Sequence, residues 1–253
     1  EELFRRMVSE TFAQRGGVIE EKSARSLPLP PAPDAVEEPL EILYQDAHLV
    51  VVNKPAGLLV HRGWANDARP ALQRVRDQIG ERVYPVHRLD RSTSGVLLFA
   101  LSPEDARLCQ AEFDAGRVSK RYLALCRGTD PSLGVVDHAL ASEDGGEKKP
   151  AVTHFRLLGA SGRYGLYEAR PLTGRTHQIR RHLKYMSHPI IGDVRYGKGE
   201  HNRYFRERFG FHRLALHAES LEMSHPRTGQ TMVWRAPLPP AFATVLSELG
   251  IVT

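Results

Sequence analysis

Asp90 sits in the run His87-Arg88-Leu89-Asp90-Arg91-Ser92-Thr93-Ser94-Gly95, flanked by arginines and followed by three hydroxyl side chains. The run joins two segments of strand-like pattern, 83–87 and 95–101. A carboxylate on a loop held by rigid elements is where reactive groups are commonly carried. Opposite charge from Arg88 and Arg91 would keep it ionised, as a nucleophile or a general base requires. The same residues also have an ordinary architectural use: Asp90 starts a turn, and Thr93 and Ser94 satisfy nearby backbone donors. Composition alone favours that use. A carboxylate-dependent hydrolase acting on glycosides would need a second acid in an equally marked setting, and no other acid in the chain has one.

Metal and thiol chemistry are not indicated. Of the twelve histidines, His177 and His182 are five apart and His182 and His188 six apart. Neither pair has the i, i+4 spacing with an intervening Glu of a helical zinc site. They are expected to orient a helix or to contact phosphate. Cys109 and Cys126 lie in unrelated contexts without partners at ligand spacing, so both are expected to be small core residues.

The elements that position Asp90 follow from periodicity. Residues 42–44 and 48–52 read as strands, 72–79 as a short helix, 83–87 as a strand and 95–101 as a nearly unbroken apolar strand. Residues 103–115 have helical spacing with Ser102 as N-cap and Pro103 in the first turn. Further strands are expected at 120–126, 151–158, 164–170 and 213–223, with helices at 177–186 and 241–249. Strands and helices mix without strict βαβ repetition, which gives an α/β-mixed (α+β) domain with a largely antiparallel sheet. Residues 1–38 differ in texture: a possible helix over 2–14, then Gly16-Gly17, then the run Leu27-Pro28-Leu29-Pro30-Pro31-Ala32-Pro33. Such a run suits an extended arm or linker. The expected domains are therefore this arm, 1–38, and a globular domain, 39–253.

The 253 residues are 41% hydrophobic and 26% charged, enough to bury a real core, and the net charge is +5 with arginine prominent. Arginine offers planar, bidentate contacts to phosphate, so a polyanionic partner is favoured. Arg175, Arg180, Arg181 and Lys184 share one short helical region. Arg195, Lys198, Arg203, Arg206, Arg208 and Arg213 follow, with Tyr196, Tyr204, Phe205 and Phe209 between them, a mixture suited to RNA. No run approaches the eighteen or so apolar residues of a membrane span, and EELFRRMVSE lacks the pattern of a secretory signal. A cytoplasmic location without membrane attachment is expected.

The string HRLDRSTSG resembles the HRLDxxTSG signature of RluA-type pseudouridine synthases. It continues in their manner through Val96-Leu97-Leu98-Phe99-Ala100. Lys120-Arg121-Tyr122-Leu123-Ala124 is similar to the family's K-x-Y element, and Gly174-Arg175-Thr176-His177-Gln178-Ile179-Arg180 to its GRTHQIR element. Val52-Asn53-Lys54-Pro55-Ala56-Gly57-Leu58 resembles its entry strand, and His188-Pro189-Ile190-Ile191-Gly192-Asp193 also fits. The resemblance runs from about Leu40 into the C-terminal region.

The resemblance implies the family's fold, a central sheet flanked by helices and loops, and isomerisation of uridine to pseudouridine in RNA. It makes Asp90 the catalytic aspartate, Tyr122 the tyrosine against the target base and Arg180 the basic partner of the aspartate. Arg88 would occupy the space vacated by the flipped nucleotide. Arg91, Thr93, Arg175, His177 and Gln178 are expected to bind substrate. The reaction needs no redox step or group donor, so neither organic cofactor nor catalytic metal is expected. Leu59-Val60-His61-Arg62, Arg76–Gly80 and His201-Asn202-Arg203 resemble a subgroup acting on the T-stem side of the tRNA acceptor arm. Residues 1–38 are too short and too Pro-rich to supply the N-terminal S4 domain that many relatives carry, and that subgroup also lacks it. Ribosomal RNA as substrate, and a non-catalytic RNA-binding module of the same fold, remain the alternatives. A monomer is expected.

Overall fold

The computed structural model describes residues 38–61, 69–142 and 145–252. The expected helix over 2–14, the Pro-rich run and Arg62 lie outside these. The chain opens with β1 (Glu41–Gln45) and β2 (Leu49–Lys54), then α1 (Ala71–Ile79), β3 (Tyr84–Pro85), β4 (Ser94–Ala100), α2 (Pro103–Asp114) and β5 (Ser119–Arg127). Three short strands follow, β6 (Val135–Asp137), β7 (Leu140–Ala141) and β8 (Lys148–Lys149), before the long pair β9 (Val152–Ser161) and β10 (Tyr164–Pro171). The last third holds α3 (Gln178–Tyr185), α4 (Gly199–Phe209), β11 (Leu216–Ser224), β12 (Thr231–Arg235) and α5 (Pro240–Glu248).

Ten strands form one sheet in the order β1-β2-β4-β11-β5-β10-β9-β6, with β12 on β11 and β3 on β4; β7 and β8 form a separate ribbon. Among the described residues the strand pairs are antiparallel except β4 with β11. The mixed, largely antiparallel α+β architecture is the one read from the sequence.

β4 explains why its run is apolar throughout. All seven residues are buried, since both faces are covered. Val96, Leu98 and Ala100 pack with Cys109 of α2, while Leu97 and Phe99 pack with Ala71 and Val75 of α1. At the start of β4, Gly95 has φ 118°, and a Cβ there would collide with the carbonyl of Ala218 in β11. Glycine is therefore what lets β11 come alongside the strand that leaves the Asp90 loop. A third cluster lies between the β5 and β10 half of the sheet and α3, α4 and α5, through Leu125, Leu166, Leu183, Phe205 and Phe242.

Helix α2 has its expected cap: Ser102 accepts from the amide of Asp105 at 3.0 Å, with Pro103 in the first turn. Both cysteines are buried, and burial pushes the Cys109 thiol up to about 12, so it packs and does not react. Beyond β6, β7, β8 and β12, which the periodicity does not mark, two elements differ from expectation. The strand at 83–87 is only Tyr84–Pro85, because Pro85 has no donor and the imidazole Nε2 of His87 accepts from Leu98 N at 3.1 Å. The basic and aromatic stretch after Lys198 is the helix α4, which buries His201, Asn202 and Phe205 on its inner side.

Candidate active site

The Asp90 loop, residues 86–93, is held from behind. Thr93 N donates to Asp90 O at 3.0 Å, closing a turn, and Gly57 N donates to Arg91 O at 2.8 Å. Lys54, wholly buried, donates from Nζ to the carbonyls of Pro55, Leu58 and Arg91 at 3.0, 2.7 and 3.2 Å. Burial, aided by the charge of Arg213 and opposed by that of Asp90, brings this lysine down to about 7. The entry segment after β2 thus fixes the loop through backbone groups.

In front of the loop stands α3. Arg180 Nη1 donates to Asp90 Oδ2 at 3.0 Å, while its Nε and Nη2 donate to the two carboxylate oxygens of Asp193 at 2.7 and 3.0 Å. The Asp193 side chain is fully enclosed and also accepts from the amides of Arg195 and Tyr196. Burial alone would raise the Asp193 carboxyl, but Arg180 and the amide of Tyr196 outweigh it and hold it below the usual range. The guanidinium of Arg180 also lies 5.1 Å from the ring centroid of Tyr196. A bidentate pair and an aromatic face therefore orient Arg180, leaving one nitrogen for Asp90.

His177 precedes α3 in a left-handed conformation, φ 54°. Its Nδ1 is 3.1 Å from Tyr196 Oη and its Nε2 is 3.7 Å from Asp90 Oδ2. The Asp90 side chain is 19% exposed, and the contacts of its carboxylate with Arg180 and His177 both fall on Oδ2. Tyr122 lies on β5 beside this group. Burial and then the charge of Asp90 push its phenol up, so it is neutral at ordinary pH.

These side chains line one cavity of about 660 Å3, together with Arg88, Thr93, Arg175 and Lys120. Two residues expected at the substrate have other employment. Arg91 does not line the cavity; its Nε donates to Gly57 O at 3.0 Å. The cation at Asp90 is Arg180, because the turn directs Arg91 toward the entry segment. Gln178 is buried, its Oε1 taken by Thr173 Oγ1 and Arg175 N and its Nε2 by Val152 O and Thr153 Oγ1. Its hydrogen-bonding capacity is used in seating α3 on β9, so although it lines the cavity its amide is engaged by the scaffold. His182 likewise bonds Thr153 and the carbonyl of His138. Arg181 donates to Ala141 O at 2.7 Å. The basic face read on this helix is thus partly internal. In the sequence His87, Lys120 and Asp193 stand out only as members of motif-like runs, and Tyr196 only as one of the aromatics between basic residues.

A carboxylate paired with an oriented arginine, facing a neutral tyrosine across a pocket on a mixed sheet, defines a class. A family model for RNA pseudouridylate synthases matches residues 48–185, over half of the chain, and the chain belongs to that family. Among the relatives it is similar to are the tRNA pseudouridine synthase C of Vibrio cholerae serotype O1, 44% identical over 234 residues with 83% of this chain and 96% of that one covered. That of Pectobacterium carotovorum is also 44% identical, and there the chain spans 62% of the relative's length. The solved structure of human RNA Pseudouridylate Synthase Domain Containing 4 superposes with a TM-score of 0.72 at 28% identity, covering 84% of this chain and 94% of that one. No helix among the described residues is long and apolar enough to cross a membrane.

Proposed function

We propose that the chain is an RNA pseudouridine synthase whose substrate is tRNA, at a uridine on the T-stem side of the acceptor arm. The observation that carries the reading is the half-coordinated carboxylate of Asp90, fixed by Arg180 and open to a cavity faced by Tyr122. In the isomerisation the bond from C1′ to N1 breaks, the uracil turns, and a bond from C1′ to C5 forms while a proton passes from C5 to N1 overall. The base must first leave its stack and enter the pocket. Attack by Asp90 on the sugar, attack on the ring and abstraction of a sugar proton all begin from an ionised carboxylate with a free oxygen. Arg180 preorganises that charge, and Tyr122 offers a flat face against which the base can turn. Arg88, Thr93, Arg175 and His177 contact the substrate, and no bound cofactor is required by this redox-neutral reaction.

The tRNA substrate is supported by the names of the relatives that match along most of the chain. Residues 39–253 form the catalytic domain and 1–38 an arm. The protein acts in the cytoplasm as a monomer. The test is to incubate it with unmodified tRNA and, separately, with ribosomal RNA, then map pseudouridine by chemical labelling and primer extension. One new mark in the T-stem side of the acceptor arm is expected. A mark only in ribosomal RNA would overturn the substrate, and none in either would overturn the activity in favour of a binding module.

A further inference from the structure

Lys120 is the cation in the cavity that the account so far leaves without a task. It starts β5 and pairs with Leu221 of β11, while Tyr122 pairs with Ala218 two positions along. Residues two apart on a strand face the same way, separated by roughly 7 Å, so both reach the one cavity they are found to line. The Nζ of Lys120 makes a single long contact, 3.4 Å to the carbonyl of Thr173. Among the described residues no carboxylate forms an ion pair with it; Asp114, which also lines the cavity, accepts from Gln110. Burial depresses this lysine below its usual value, and its charge in turn lowers His87. A half-buried ammonium with spare donors and no counter-charge costs stability. It is the arrangement expected where an anion arrives with a ligand. Arg180 is committed to two aspartates and Lys54 to three carbonyls, while Arg88 and Arg175, which also line the cavity, are assigned to the substrate.

A flipped uridine brings one negative charge with it, on its phosphodiester, about one sugar away from the base. We propose that Lys120 is a substrate-binding residue that grips the phosphodiester of the nucleotide whose base lies against Tyr122. This inference rests on the isomerase reading. It assigns Asp90 and Lys120 to the two ends of the same nucleotide, the first at the glycosidic bond and the second at the backbone.

The test compares wild type, Lys120→Met and Lys120→Arg on unmodified tRNA and on the same RNA carrying one uncharged methylphosphonate 5′ to the target uridine. Both turnover and RNA binding are measured. Lys120→Met is expected to raise KM and Kd about tenfold, the size of one charge-assisted hydrogen bond, with a smaller change in kcat. The slope of log binding against log salt should fall by about one. Lys120→Arg should restore most of the loss, and the melting temperature of Lys120→Met should not fall, since an uncompensated cation is removed. The methylphosphonate should cost the wild type the same factor and the Met variant nothing more. Independent, multiplying effects of the two changes, or an unchanged KM and Kd in Lys120→Met, would overturn the proposal. A wild type that makes no pseudouridine while Lys120→Met still weakens binding, with no added loss from the methylphosphonate, would sink the isomerase reading and leave the phosphate contact standing.

Discussion

Glu168 on the sheet and Asp90 on the loop that leads into β4 are both carboxylates held by arginine, and they are held differently. Glu168 on β10 receives Arg121 and Arg156 on Oε2, at 2.5 and 3.1 Å, and Arg170 on Oε1 at 2.9 Å. Its side chain is 6% exposed. Burial pushes its carboxyl up, yet the three guanidiniums outweigh that and bring it to about 2. Asp90 faces a cavity, and among the described residues its one arginine contact falls on a single oxygen. Arg121 and Tyr122 are consecutive on β5 and so point to opposite faces; the saturated carboxylate stands on the Arg121 side and the open one on the Tyr122 side. A carboxylate with both oxygens engaged by arginines is a tie between strands. One with a free oxygen and a single oriented cation is ready for chemistry. What separates the two is coordination, not the mere presence of arginine.

That contrast can be broken at either end. The largest effect is expected from Asp90→Ala, which should lower turnover by at least about a thousandfold while leaving the unfolding transition in place. Retained turnover in a tritium-release assay would remove the distinction. Arg180→Met comes next, because Arg180 holds two aspartates at once. It leaves Asp193 enclosed without its partner, which costs about 3–5 kcal/mol by urea denaturation, and it frees Asp90, lowering turnover by about a hundredfold. A stable, active Arg180→Met would show that neither aspartate depends on it. Glu168→Gln should cost about 1–2 kcal/mol, since two of its arginines are largely exposed and screened, with turnover within about threefold of wild type. A large loss of turnover there would place Glu168 in the machinery as well.

The smallest effect is a pH dependence of stability. His87 and His217 are brought by burial from 6.5 to about 4 and are neutral in the fold. A base whose folded value is lowered favours folding fully above its unfolded value and loses that contribution as pH falls toward the folded one. The melting temperature should therefore decline between pH 6.5 and 4. Glu168 adds a further loss between 4.5 and 2 as its ion pairs are protonated away. A melting temperature independent of pH from 7 to 4 would contradict the buried neutral histidines.

Much of this was legible in the sequence, for physical reasons. The apolar run of β4 and the capped helix α2 follow from local periodicity and from Ser102-Pro103, and they were read within a residue or two. The string around Asp90 and the two later motifs carried enough specified positions to show which side chains converge. Side-chain direction was not legible. Arg91 is as close to Asp90 in sequence as any arginine, but the turn sends it to Gly57, and the cation that reaches Asp90 comes from α3. Gln178 sits in a ligand-like motif and spends its amide on the scaffold. Asp193 orients Arg180 from beyond the helix, at a separation only the fold decides. Helix α4 begins at Gly199 without a side-chain cap, and its charged exterior masked the narrow buried strip formed by His201, Asn202 and Phe205.

The most direct test of the central claim is the isosteric change Asp90→Asn, assayed on tRNA labelled with tritium at uracil C5, with filter binding run alongside. The account expects no tritium release above background and an RNA affinity within a few fold of wild type. The shape of the site and its grip on RNA survive, and only the ionised oxygen is lost. Tritium released at the wild-type rate would contradict it.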